Sequence, residues 1–132
     1  MILVDTNVWI DLIERDPVWM EWSLAHVMQA RAEQTAVINP VIYAELAPTY
    51  DSEETLAQFV RLSGAQWMPL SASAAWVASR AFLNYRQRKG VKTGVLPDFF
   101  IGGQALAEGW TLLTRDAARY RTYFPDIQLI CP

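Results

Sequence analysis

Four acidic residues stand where an apolar run gives way to a helix-start signal, and those positions carry the chemistry in this chain. Asp5 closes the run Ile2-Leu3-Val4, and Glu45 lies in a helix opened by Asn39-Pro40. Asp98 follows Pro97, and Asp116 follows Leu112-Leu113-Thr114-Arg115. If the runs are parallel strands feeding helices, their C-terminal ends share one sheet edge, where ligand crevices form and where the four acids would meet. Two carboxylates ~4 Å apart repel by about 4 kcal/mol at an effective dielectric of ~20. Three or four together must take up protons or hold a cation, and hard oxygen donors suit Mg²⁺ or Mn²⁺. With one histidine and one cysteine in the sequence, a zinc site of His and Cys has no support.

Each acid also has a plainer use. Asp5, Asp98 and Asp116 are well placed to cap helices or sit in first turns. Glu45, between Ala44 and Leu46 in an apolar stretch, fits a solvated surface less well. Asp11, Glu14, Glu33 and Glu108 lack junction positions and read as solvated faces. The specificity lies in the set of four.

Elements able to position them follow from periodicity and punctuation. Ile2 to Val4 does not alternate with polar residues, so it reads as a central strand covered on both faces. Val8 to Glu14 reads as a short helix. Asp16-Pro17 starts the next, running to about Glu33 with Val18, Trp22, Ala25 and Met28 inward. Thr35 to Ile38 is a second strand, and the Asn39-Pro40 helix ends at Pro48. A helix from Asp51 or Ser52 turns Leu56, Phe59, Val60 and Leu62 inward and stops at Gly64. Gln66 to Leu70 is a weak strand, and Ser71 caps a helix reaching about Lys89. A loop spans Gly90 to Leu96, and Pro97 opens a helix that ends at Gly109. Strand Trp110 to Thr114, helix Asp116 to Phe124 and strand Ile127 to Ile130 complete the chain. Alternating strands and helices define an α/β class with a central, mainly parallel sheet of about five strands.

At 132 residues with 52% hydrophobic content, the chain makes one domain, 1–132, with a sizeable core. Charged residues are only 19%, so part of the apolar surface is expected to serve an interface. A net charge of −3 argues against nonspecific coating of nucleic acid, yet leaves room for a nuclease whose acids are offset by metal. Cys131 is the sole cysteine and cannot form an internal disulfide, which fits a reducing cytoplasm. Asp5 and Asp11 interrupt the one candidate leader, so neither signal peptide nor membrane span is expected.

Four blocks resemble the PIN-domain family: Val4-Asp5-Thr6-Asn7, the Asn39-Pro40 helix with Glu45, Leu96-Pro97-Asp98-Phe99-Phe100-Ile101-Gly102-Gly103-Gln104-Ala105, and Leu112-Leu113-Thr114-Arg115-Asp116. Size and order resemble the VapC-type toxins of bacterial toxin–antitoxin pairs, over essentially the whole chain. The resemblance implies a three-layer α/β/α sandwich and a Mg²⁺- or Mn²⁺-dependent endoribonuclease acting on RNA such as tRNA or rRNA. It implies that Asp5, Glu45, Asp98 and Asp116 are catalytic, with Thr6, Asn7 and Thr114 supporting the acidic pocket. A homodimer and inhibition by a small VapB-type antitoxin are implied as well. Some members carry a further acid three residues after the counterpart of Asp116. Here that place holds Arg119, so one metal ion is expected and a second stays open. On this reading Asp5, Asp98 and Asp116 hold metal while Glu45 positions or deprotonates the attacking water.

RNA must still approach an acidic pocket. Arg86, Arg88, Lys89 and Lys92 form a basic run able to steer phosphate, although cations also suit a helix C-terminus. Arg115 can meet phosphate or pair with a carboxylate. His26, on an amphipathic helix, reads as structural. Two rivals remain. A phosphohydrolase with an aspartyl nucleophile would want a second acid where Asn7 stands. A non-catalytic PIN-like module binding RNA or protein would not need all four acids.

Overall fold

The strand Ile2–Val4 (β1) lies at the centre because both of its faces are apolar: Leu3 and Val4 are fully buried. The computed structural model describes residues 1–92 and 94–132, and Thr93 of the 90–96 loop lies outside the described residues. Around β1 stand β2 (Ala36–Ile38), β3 (Gln66–Trp67), β4 (Thr111–Leu113) and β5 (Gln128–Ile130), in the order β3-β2-β1-β4-β5. Every pairing is parallel, with Leu3 opposite Val37 on one side and Leu112 on the other. The sheet is wholly parallel, a stricter arrangement than the mainly parallel sheet read from sequence. Helices α1 (Thr6–Ile13), α2 (Met20–Ala32), α3 (Pro40–Leu46), α4 (Glu53–Ser63), α5 (Ala72–Gln87), α6 (Leu96–Glu108) and α7 (Ala118–Tyr123) flank it. The chain builds β1, β2 and β3 outward in one direction, then crosses back to place β4 and β5 on the other side of β1. That reversal opens a crevice at the C-terminal ends of β1 and β4.

Local chemistry fixes the helices that face this crevice. Asn39 caps α3 by accepting from Ile42 N at 2.8 Å, and Pro40 takes the first helical position. Ser52 and Ser71 cap α4 and α5, and Gly64 and Gly109 end α4 and α6 in the left-handed conformation. Helices α5 and α6 touch so closely that a Cβ on Gly103 would stand 2.7 Å from the Ala74 carbonyl oxygen. A glycine there lets α6, which carries Asp98, pack directly on the backbone of α5.

Expectation and structure part in several places. Asp16 accepts from the amides of both Val18 and Trp19 at 2.8 Å and closes a turn, so α2 begins at Met20 and Pro17 is not its first residue. Its inner face is Ser23, Val27 and Ala30, with Trp22 half-buried, while Ala25, expected inward, is exposed, as are Val18 at 74% and Met28 at 48%. A buried hydrogen bond at Ser23 sets that rotation, which an apolar count along the helix does not register. On α4, Leu62 points outward at 65% exposure rather than inward. Finally, Asp116 precedes α7 instead of starting it.

Candidate active site

Asp5 is the anchor. Leaving β1, it is 4% exposed, and its amide donates to the Leu113 carbonyl of β4 at 2.9 Å. Its Oδ1 accepts the Thr6 amide at 2.7 Å as the cap of α1. Its Oδ2 accepts from Thr114 Oγ1 at 2.7 Å, Asn7 Nδ2 at 3.2 Å and the Tyr120 hydroxyl at 3.2 Å. Capping and cleft roles coincide in one residue. Burial pushes the Asp5 carboxyl up to about 6, against the bonds from Thr114 and Thr6, with the charges of Asp98 and Glu45 adding to the rise.

The other acids arrive from separate elements. Glu45 on α3 is half-buried, and its Oε1 accepts from Thr6 Oγ1 at 2.6 Å. Asp98 lies in the first turn of α6, and Asp116 follows β4 with its amide donating to Thr114 Oγ1 at 3.2 Å. Asp5, Glu45, Asp98 and Asp116 all line one cleft of about 340 Å³. Partial burial raises Glu45, more than the Thr6 bond lowers it, and Asp98 raises it further. Burial also raises Asp98, which Arg119 opposes and Asp116 reinforces. The cleft therefore concentrates negative charge that is poorly relieved by solvent.

Thr6, Asn7 and Thr114 form the scaffold of this cluster. Thr114 is fully buried, and besides donating to Asp5 it accepts from Asn7 Nδ2 at 3.1 Å; Asn7 Oδ1 in turn accepts the Arg115 amide at 3.1 Å. Of the cations read as phosphate contacts, Arg115 lines the cleft. Arg86, Arg88, Lys89 and Lys92 are exposed at the end of α5 and beyond, and none of them lines it. Arg86 donates to the Gly90 carbonyl at 3.3 Å and Arg88 lies over Tyr123, so this run is partly occupied in closing its own helix end.

Other residues at the site escaped sequence reasoning. Tyr120, in the short helix read from Asp116 to Phe124, was not singled out, yet it is 2% exposed with its hydroxyl on Asp5. Asp11 is a correction: it is 1% exposed, not on a solvated face. Its Oδ2 accepts from Arg115 Nε at 2.7 Å and from Ser23 Oγ at 2.6 Å, fixing α2 and the segment after β4 to α1. Its position on the inward side of α1, beside Leu12, was the available signal. Gln104 is 1% exposed, accepts from Asn39 Nδ2 at 2.7 Å and donates to the Pro69 carbonyl at 2.8 Å. It thereby ties the helix bearing Glu45 to the helix bearing Asp98. A single amide in an apolar helix was its sequence signal.

In the positions shown, no three His, Cys, Asp or Glu side chains among the described residues form a ready-made metal nest. Asp98 is already engaged, because Arg119 Nη1 donates to its Oδ2. The donor chemistry nonetheless fits a hard divalent cation. The cleft offers carboxylate oxygens raised by burial and mutual repulsion, which is the condition a cation relieves.

With fold and cleft described, the class is defined: the profile of the PIN domain matches residues 2–125, and the chain belongs to that family. Among solved structures, the chain resembles VapBC2 from Rickettsia felis bound to a promoter DNA fragment, with a TM-score of 0.76 and 20% identity over 100% of this chain and 99% of that one. DNA-bound VapBC from Salmonella typhimurium gives 0.73 and 18%, covering 98% and 96%. FitAcB from Neisseria gonorrhoeae gives 0.71 and 18%, also covering 98% and 96%. No curated protein matches the sequence significantly. No helix among the described residues is long and apolar enough to cross a membrane.

Proposed function

We propose that this PIN-domain chain is a VapC-type toxin that cuts RNA phosphodiester bonds with Mg²⁺ or Mn²⁺. The observation that carries this reading is the meeting of Asp5, Glu45, Asp98 and Asp116 in one cleft at the C-terminal edge of the sheet. Asp5, Asp98 and Asp116 would hold the ion. When bound, the ion supplies an acidified water and stabilises charge on the phosphoryl oxygens. Glu45, fixed at Oε1 by Thr6, has its second oxygen left to orient that water and take its proton. Thr114, Asn7 and Tyr120 hold Asp5 in one orientation, so its carboxylate needs little reorganisation on loading. Arg115, anchored by Asp11, meets an RNA phosphate at the cleft wall.

A cognate VapB-type antitoxin and a second copy of the chain are the partners of this reading. A second, apolar cleft of about 190 Å³ runs between α1, α2 and α4, lined in part by Trp9, Leu24, Met28 and Leu62. Leu24 is 40%, Met28 48% and Leu62 65% exposed, a seat for the apolar face of a partner helix.

The test is cleavage of total tRNA and rRNA by antitoxin-free protein in Mg²⁺, Mn²⁺ or EDTA, beside Asp5→Asn and Asp98→Asn. Discrete metal-dependent cuts absent from both variants are expected. Equal cutting by wild type and variants would reject the assigned site. Absence of both cutting and metal binding would favour a non-catalytic binding module.

A further inference from the structure

Arg119 stands on the first turn of α7 and sends its guanidinium into the acidic cleft, onto Asp98. The two side chains are 28% and 32% exposed, so the pair is partly screened and free to rearrange. Arg115, the other arginine of the cleft wall, is fixed in place: its Nε holds buried Asp11, and its guanidinium lies 5.4 Å from the Trp19 ring. Arg119 has no second hydrogen bond or aromatic contact among the described residues. Among the described residues its one side-chain partner is Asp98, a carboxylate that would also hold the cation.

A guanidinium and a dication held on one carboxylate repel each other strongly. Once displaced, Arg119 would remain tethered beside the cleft with its planar donor fork unsatisfied. The anion that such a fork matches best, and that the reaction brings to this place, is a phosphodiester.

Resting on the metal-dependent reading above, we infer that Arg119 is an exchangeable counter-ion. It holds Asp98 in the metal-free chain, yields it to the divalent ion, and then pairs with the phosphate of bound RNA. The arriving dication takes over the neutralisation of Asp98 and brings one positive charge more than it displaces there, and the released guanidinium meets one negative phosphate. Arg119 thereby couples metal loading to substrate positioning.

Two titrations test this without relying on turnover. In the first, Mn²⁺ binding is measured by calorimetry in wild type, Arg119→Gln and Arg119→Lys, without RNA. Removing the competing cation should tighten Mn²⁺ binding about tenfold in Arg119→Gln, the scale of one charge-assisted pair discounted for partial exposure. Arg119→Lys, which keeps the charge, should stay nearer wild type. In the second, a short single-stranded RNA is titrated into Glu45→Gln protein, whose slowed cutting permits equilibrium binding. With saturating Mn²⁺, adding Arg119→Gln should weaken RNA binding about tenfold, as expected for loss of a guanidinium–phosphate pair. In EDTA the same change should have little effect. Equal Mn²⁺ affinities in wild type and Arg119→Gln would overturn the exchange. Tighter Mn²⁺ with unchanged RNA affinity would overturn the transfer to phosphate. No Mn²⁺ binding in any variant would overturn the metal-dependent reading itself, and the inference with it.

Discussion

Replacing Asp5 with asparagine should make the metal-free chain relatively more stable at neutral pH than in acid. In the folded protein the Asp5 carboxyl is raised from 3.8 to about 6, chiefly because it is buried. The unfolded chain therefore releases this proton at lower pH than the folded one. Below 3.8 both states hold the proton and the difference vanishes. As pH rises from about 4 to about 6 the folded state binds more protons than the unfolded state, so stability falls, and above about 6 the loss is complete. A shift of this size corresponds to about 3 kcal/mol in full, of which about 2 kcal/mol accrues between pH 4 and pH 7.5. Asparagine cannot ionise and should abolish this component. It cannot accept all four hydrogen bonds made to Asp5, so the variant also loses about 1–2 kcal/mol at every pH. That loss cancels when the stability difference between wild type and variant is compared across pH. Urea unfolding in EDTA at pH 4 and pH 7.5 gives the comparison. The difference should move in favour of Asp5→Asn by about 2 kcal/mol as pH rises. A pH-independent difference would refute the claim that burial makes ionised Asp5 costly in the empty cleft. Saturating Mg²⁺ should reverse the balance at pH 7.5, because binding to wild type alone adds stability to wild type alone.

Other outcomes follow from the contacts around the cleft. Arg115→Ala leaves Asp11 buried without its charge partner and should cost about 3 kcal/mol; much of that loss should be absent when Arg115→Ala is made on Asp11→Ala, measured as a double-mutant cycle in urea. Gly103→Ala drives a Cβ into the α5 backbone and should destabilise by about 1–3 kcal/mol or more, read as a lower thermal midpoint. Gln104→Ala strands the Asn39 amide and the Pro69 carbonyl and should cost about 2–3 kcal/mol, again by urea unfolding. Thr114→Val removes the hydrogen bond that lowers the Asp5 carboxyl, so Asp5 should titrate above about 6 when followed by carboxyl ¹³C shifts.

What the sequence determined by itself was the order of the elements and the four acids that meet among them. Unbroken Ile2-Leu3-Val4 required burial on both faces, Asn39-Pro40 and Ser71 required helix starts, and Gly64 and Gly109 required stops. These are local constraints of backbone and side chain, so they are legible before folding. Strand neighbours were not legible, because nothing local to Leu3 specifies Val37 on one side and Leu112 on the other. Nor was the inner face of α2, where a buried pairing of Ser23 with Asp11 outweighs the apolar side chains Val18 and Met28. Asp11, Gln104 and Tyr120 acquire their roles only through partners at least 12 residues away in the chain. Arg119 could be read from sequence as a missing acid. Tertiary structure alone put its guanidinium on Asp98, because α6 and α7 converge at the same end of the sheet and an unrelieved carboxylate there attracts the nearest tethered cation.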